Sequence, residues 1–113
     1  MPGRPTRVAS AVEVALREQL GGAAERLAEA QARIAWGEVL LEEFGHAQPS
    51  PGSRLVGVER GVAGVEVADA MLAQEITLRK RRLLHALNAR LSDRPGAGGP
   101  VVELRVRVNR RAR

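Results

Sequence analysis

Apolar residues recur at helical spacing from the start of the chain. Val12, Leu16 and Leu20 line one side of a first segment, and Ser10 with Glu13 forms a capping box. Gly21-Gly22 is expected to end that helix, and a second is predicted from Ala23 to about Phe44, with Gly45 just beyond its C-terminus. The second helix carries two apolar stripes, Leu27, Ala30, Ile34 and Leu41 on one and Trp36, Leu40 and Phe44 on the other. Two stripes predict cover from two sides.

The stretch HAQPSPGS cannot continue a helix. After it the period changes from helical to two. RLVGV and VAGVEVA, joined through Glu59-Arg60-Gly61, read as a β-hairpin, with Ala63, Val65 and Val67 on one face. A long helix is then predicted from about Ala70 to Ser92, with Leu72, Ile76, Leu83, Leu87 and Leu91 facing the sheet. The bases Arg79, Lys80, Arg81 and Arg82 leave a gap in that stripe between Ile76 and Leu83, while Met71, Leu78 and Ala89 make a second stripe expected against the preceding helix. DRPGAGGP ends the helix. In the final run, VVELRVRV, Val102, Leu104, Val106 and Val108 are expected to face the helices, with Arg105 and Arg107 on the open side. The predicted fold is α+β, in the order α-α-β-β-α-β, with a three-stranded sheet and helices packed on one face. Residues 10–108 form one domain, flanked by a flexible basic N-terminus (1–9) and a basic C-terminal tail (109–113).

Charge changes this picture more than composition does. Residues 1–69 carry seven Lys/Arg against ten Asp/Glu, and residues 70–113 carry eleven against three, so −3 is followed by +8. A basic surface of that size suits nucleic acid or an acidic partner. Lys occurs once while Arg abounds, a bias that a GC-rich genome also produces.

Catalytic chemistry finds little support. There is no cysteine, His46 and His85 lack partners at ligand spacing, and no hydroxyl sits in a nucleophile motif. No catalytic residue, metal, cofactor or small-molecule substrate is therefore expected. No apolar run approaches a membrane span and the N-terminus lacks a secretory h-region, which leaves a cytoplasmic protein as the expectation. GVAG, Gly61 to Gly64, matches the GxxG loop by which KH domains clamp a nucleic-acid backbone. That loop joins two helices, whereas this one lies in a hairpin, so the match is read as accidental. Trp36 has two readings, a core anchor between helix and sheet or a stacking platform for a base, and the first is preferred.

The order of landmarks carries a further signal. AWGEVLLEEFGHAQP, then RLVGVERGVAGVEVADAMLAQEI, then RRLLHALNARL, then VVELRVRV resembles the DciA family over roughly residues 10 to 108. Trp36, Gly37, Val39, Gly61, the AQEI of Ala73 to Ile76, Leu84, Leu87, Asn88 and Leu91 carry the likeness. The resemblance implies a KH-like fold, binding to the DnaB-type replicative helicase of bacteria, and affinity for single-stranded DNA. Two features depart from the pattern. Leu72 stands where an aromatic residue is usual, and only NRRAR and MPGRPTR stand in place of the long basic extension of many relatives.

The combined expectation is a non-enzymatic, nucleoid-associated accessory protein of DNA replication that promotes helicase loading or activity. An RNA- or ribosome-associated KH-like module and a pure protein-interaction adaptor are the alternatives. The candidate nucleic-acid-binding residues are Arg79, Lys80, Arg81, Arg82, Arg105, Arg107, Arg110, Arg111 and Arg113. With one Trp, one Phe and no Tyr, binding would be electrostatic and weakly sequence-selective. Replacing Arg79 to Arg82 with Gln should flatten the slope of log K against log salt by about 0.7 for each phosphate the protein no longer neutralises, without changing base preference. An unchanged slope in a filter-binding salt series would remove this helix from the DNA-binding role.

Overall fold

The computed structural model describes residues 6–45 and 52–110, with α1 side chains from residue 22 onward. The elements are α1 (Thr6–Phe44), β1 (Ser53–Glu59), β2 (Val62–Val67), α2 (Ala70–Leu78), α3 (Lys80–Ser92) and β3 (Glu103–Val108). Most of the Pro/Ser loop, the first five residues, and Arg111 and Arg113 lie outside the described residues.

This is an α+β fold with a three-stranded sheet of order β1-β2-β3, compatible with a small KH-like domain. β1 and β2 are antiparallel, and β2 and β3 are parallel. Ser53, Leu55, Ala63, Val65, Val67 and Leu104 are buried on the face toward the helices, while Arg54, Val56, Arg105 and Arg107 are exposed on the other. The hairpin turns through Arg60 (φ 53) and Gly61 (φ 79), two successive left-handed residues whose twist suits a two-residue connection. Its Gly61 carbonyl also accepts the N–H groups of Val102 (2.7 Å) and Glu103 (3.2 Å), which fixes where β3 begins.

The division into helices differs from expectation in two places. Gly21-Gly22 does not end a helix: α1 runs through it for 39 residues and already includes residues 6 to 9, expected as tail. An interior glycine costs about 1 kcal/mol relative to alanine but keeps its N–H in the hydrogen-bond ladder. The Ala-rich sequence on the C-terminal side favours continuation enough to offset that cost. Conversely, the long helix expected over residues 70–92 is two helices, broken at Arg79 (φ −105, ψ 16). The break falls in the gap of the leucine stripe, so that Ile76 on α2 and Leu83 on α3 are both fully buried. Asp69 caps α2 by accepting the Leu72 N–H at 2.8 Å.

Three packing expectations also change. Met71 and Leu78 are strongly exposed rather than packed on the preceding helix, because α2 turns away from α1 at the break and lies over β2 and β3. Leu27, Ile34 and Leu41 are about half exposed, so α1 is covered from one side only. Just ahead of β3, Val102 is 67% exposed and Val101 is buried in its place. The cause is Asn88 on α3, whose side chain accepts the Val101 N–H (2.8 Å) and donates to its C=O (2.7 Å), turning Val101 inward two residues before the strand. Leu104 is fully buried, Val106 partly so, and Val108 is exposed at the end of the strand.

Trp36 sits at the centre of the core, 1% exposed, and its Nε1–H donates to the buried Ser53 Oγ at 3.1 Å. Its ring joins α1 to β1, and its one polar atom is satisfied where it cannot reach water. Trp36→Ala should destabilise the domain by about 3–5 kcal/mol. Asn88→Ala should cost about 2 kcal/mol or more, since two main-chain groups lose their partner. Asn88→Asp, which can accept but not donate, should fall between wild type and Ala in urea unfolding.

Candidate nucleic-acid interface

The nine candidate bases do not form one surface. Arg79 to Arg82 occupy the break between α2 and α3, and their side chains diverge there. Arg79 reaches back to α1: its guanidinium lies 4.6 Å from the Phe44 ring centroid, with Glu43 at 3.6 Å and Glu75 at 2.5 Å. Arg82 also meets Glu43, at 3.3 Å. Lys80 points the other way and pairs with Glu103 at the head of β3, 3.2 Å away. Arg81 is exposed and has no ion pair among the described residues.

Arg105 and Arg107 stand on the open face of the sheet. There the register aligns Arg54, Glu66 and Arg107 across β1, β2 and β3. Glu66 contacts Arg54 at 3.4 Å, Arg107 at 3.2 Å and the Asn109 amide at 3.1 Å. Its side chain is largely covered by these groups. The Asn109 hydrogen bond lowers the Glu66 pKa, burial works against it, and the hydrogen bond and charge of Arg54 and the charge of Arg107 lower it further. Arg105, opposite Gly64, has no ion pair among the described residues. It borders a groove of about 1310 Å³ between α1, the hairpin and the segment before β3. Arg26, Arg60 and Arg105 line that groove beside Glu25, Glu29 and Glu59, so its charges balance. Arg110 is exposed just after the last strand.

Of the seven candidate bases that are described, Arg79, Lys80, Arg82 and Arg107 are paired within the fold, and Arg81, Arg105 and Arg110 are not. Apart from Glu75, four residues before Arg79, the acids responsible come from distant segments, and sequence reasoning missed them as partners. Glu43 lies near the end of α1 and Glu66 in β2. A second set joins α1 to α3: Arg90 meets Glu42 at 2.7 Å and Glu38 at 3.1 Å, and Arg94 meets Glu38 at 2.6 Å. The Glu42 hydrogen bond raises the Arg90 pKa above the ordinary guanidinium value despite desolvation. The only hint of this in the sequence is the succession of an acidic first half and a basic second half.

The geometry also limits how a nucleic acid could be held. The junction of two helices, where a KH domain carries its GxxG loop, here reads Leu78-Arg79-Lys80-Arg81. With a side chain at every position, the bare main chain cannot approach a phosphate closely. The GVAG segment contributes instead to the hairpin, where Gly61 serves the turn. Neither aromatic ring is available for stacking, since Trp36 is in the core and Phe44 is partly buried beneath Arg79. No described helix is long and apolar enough to cross a membrane.

No protein-family model matches the chain. No curated protein matches it either. The likeness to the DciA family thus rests on the residues that carry it.

Because the folded-state pKa of Glu66 lies below the value of 4.5 expected for a free carboxyl, its ionisation contributes stability that is complete above that pH. The contribution is lost as pH falls through the lower, folded value. Glu66→Gln should therefore show a shallower loss of stability between neutral and acid pH than wild type. Urea midpoints measured across that range would check this; parallel curves would remove Glu66 as a source of acid sensitivity.

Proposed function

We propose that this protein is a non-enzymatic, nucleoid-associated accessory factor of bacterial DNA replication that binds a ring-shaped replicative helicase and single-stranded DNA. The observation that carries this reading is the cationic arrangement around the helix break. Arg81 and Arg82 project from the start of α3, Lys80 ties that point to the head of β3, and Arg105 continues along the strand. The DciA-like series of landmarks supplies the helicase.

Binding of DNA would be through phosphates. Side-chain cations replace the glycine clamp, and without accessible aromatic rings there is no platform for reading or stacking bases. Phosphates held by Arg81, Arg105 and Arg110 give a salt slope of about 2 on single strands, or roughly a 20-fold loss of affinity over a fourfold rise in salt. The paired bases contribute less, because DNA would have to displace Glu43, Glu66 or Glu103 from them. For the helicase, the exposed Met71 and Leu78 on α2 offer apolar contact area beside these cations.

The extent of internal pairing favours one competing reading, a protein-interaction adaptor without nucleic-acid affinity. The two readings separate in one experiment. Arg81→Gln with Arg105→Gln should reduce affinity for single-stranded DNA several-fold at low salt and lower the slope by about 1.4, leaving the melting temperature nearly unchanged. Arg79→Gln should instead lower stability, because Glu75 and the Phe44 ring are left without their cation and Glu43 keeps only Arg82, with a smaller effect on DNA. Recovery of the replicative helicase with tagged wild-type protein, and its absence with Leu78→Glu, would support the helicase role. Helicase recovery without measurable DNA affinity would leave the adaptor.

A further inference from the structure

The two edges of the sheet are finished differently. Along β1 the chain protects its own edge. A bulge lies between Leu55 and Gly57, and the Arg33 guanidinium of α1 donates to the Leu55 and Val56 carbonyls at 3.3 and 3.2 Å. β3 has neither device. The Glu103 N–H donates to the Gly61 carbonyl and the Asn109 N–H to that of Val67, so the odd-numbered residues of this parallel strand turn their main-chain groups toward β2. The N–H and C=O of Leu104, Val106 and Val108 therefore face away from the sheet, and no hydrogen bond joins them to another described residue.

The inner face is one strand short at the same edge. Val65 and Val106 lie in one row, and Val67 and Val108 in another. The β2 members are 1% and 0% exposed, whereas Val106 is only partly buried and Val108 is 43% exposed. Helix α2 lies above β2 and β3, but its Leu72 leans toward the β1 side, where a Cβ on Gly52 would meet it at 3.3 Å. At about 100° per residue, the opposite flank of α2 carries Ala70, Ala73 and Thr77. These short side chains leave the valines at the edge incompletely covered.

We infer that β3 receives an extended polypeptide segment of a partner protein as a fourth strand, one in which acidic and apolar residues alternate. A polypeptide brings donors and acceptors at the strand repeat, and the outward N–H and C=O groups of this edge require both. The sugar–phosphate chain of DNA only accepts, which leaves the carbonyls unpaired. Alternation follows from the pleat. Residues of the segment beside Leu104, Val106 and Val108 point to the helix side, where apolar side chains complete the rows. Those beside Arg105 and Arg107 point to the open face. One row there is Gly57, Gly64 and Arg105; Glu29, the acid beside Gly57 at the far end, is engaged by Arg33. Another holds Arg54 and Arg107 with Glu66 alone between them. An acidic side chain at the edge balances either row. The same arginines disfavour a second copy of this strand. Antiparallel pairing centred on Val106 sets Arg105 against Arg107 twice, and centred on Arg105 it sets that guanidinium against its own copy. Centred on Leu104, it leaves Val108 uncovered.

The test uses the full chain and a short fluorescein-labelled peptide of alternating glutamate and valine. Anisotropy should show saturable binding that a scrambled peptide of the same composition does not reproduce. Hydrogen exchange reads the strand addition itself. In the free protein the amides of Leu104, Val106 and Val108 should exchange faster than those of Arg105 and Arg107, which are bonded to β2, and the peptide should slow the first set selectively. Val108→Pro removes an outward N–H at a site where proline disturbs no bond to β2. Peptide affinity should therefore fall about tenfold with little change in melting temperature. Arg105→Gln should weaken the acidic peptide several-fold. No saturable binding up to millimolar peptide, equal binding of the scrambled peptide, unchanged exchange at the three outward amides, or full affinity in Val108→Pro would each overturn the inference. A single-stranded oligonucleotide that slows those amides would overturn it in favour of nucleic acid, and their protection in a concentration-dependent dimer would do so in favour of a second copy.

Discussion

The parallel pairing of β2 with β3 is the constraint on which the rest of the domain depends. Two parallel neighbours require the chain to leave the end of one strand and return to the beginning of the other. Here it leaves at Val67 and re-enters at Glu103, which lies beside Val62. The return distance is one six-residue strand, about 20 Å. A straight helix over residues 70–92 would be about 35 Å long and would overshoot. The break at Arg79 resolves the mismatch by turning α3 back across the sheet. Asn88 and Gly61 then complete the return, one by holding the Val101 main chain and the other by receiving the N–H groups of Val102 and Glu103.

The same constraint separates the parts of the fold that are legible in the sequence from those that are not. Period-two runs mark the three strands, because alternation reports a half-buried strand locally. The gap between Ile76 and Leu83 marks where the long helix breaks, yet nothing local requires a break there. Arg79 is a good helix former, and only the length of the crossover excludes a straight helix. Gly21-Gly22 misleads in the opposite direction, since a residue that disfavours a helix does not always end one. The offset of the last strand, with Val101 in and Val102 out, is not legible either, because it depends on a hydrogen-bonding side chain thirteen residues earlier.

The candidate site is legible as a set of charges but not as a surface. A run of four bases looks continuous in the sequence, whereas on a helix broken at its first member the side chains take different partners. Arg79 turns to α1, Lys80 to β3, and Arg81 to solvent. Similarly, Arg105 and Arg107 share the open face of the sheet, but only Arg107 is opposite the Glu66 that neutralises it.

The unequal charge of the two halves of the chain therefore has a structural use before it has any functional one. Glu38, Glu42 and Glu43 of α1 receive Arg90, Arg94, Arg79 and Arg82, so the acidic first half grips the basic second half along the α1–α3 contact. Such partly exposed pairs contribute little each, and less as salt rises. Their collective effect is on orientation, because they flank the apolar contact that seats α3 on α1. What the fold leaves uncommitted is smaller and more localised than the net charge suggests. Arg81 and Arg105 stand near opposite sides of the Lys80–Glu103 link, and that link is where an approaching polyanion would compete with an internal carboxylate. Competition of this kind makes binding weaker, because a phosphate that takes Lys80 leaves Glu103 without its cation.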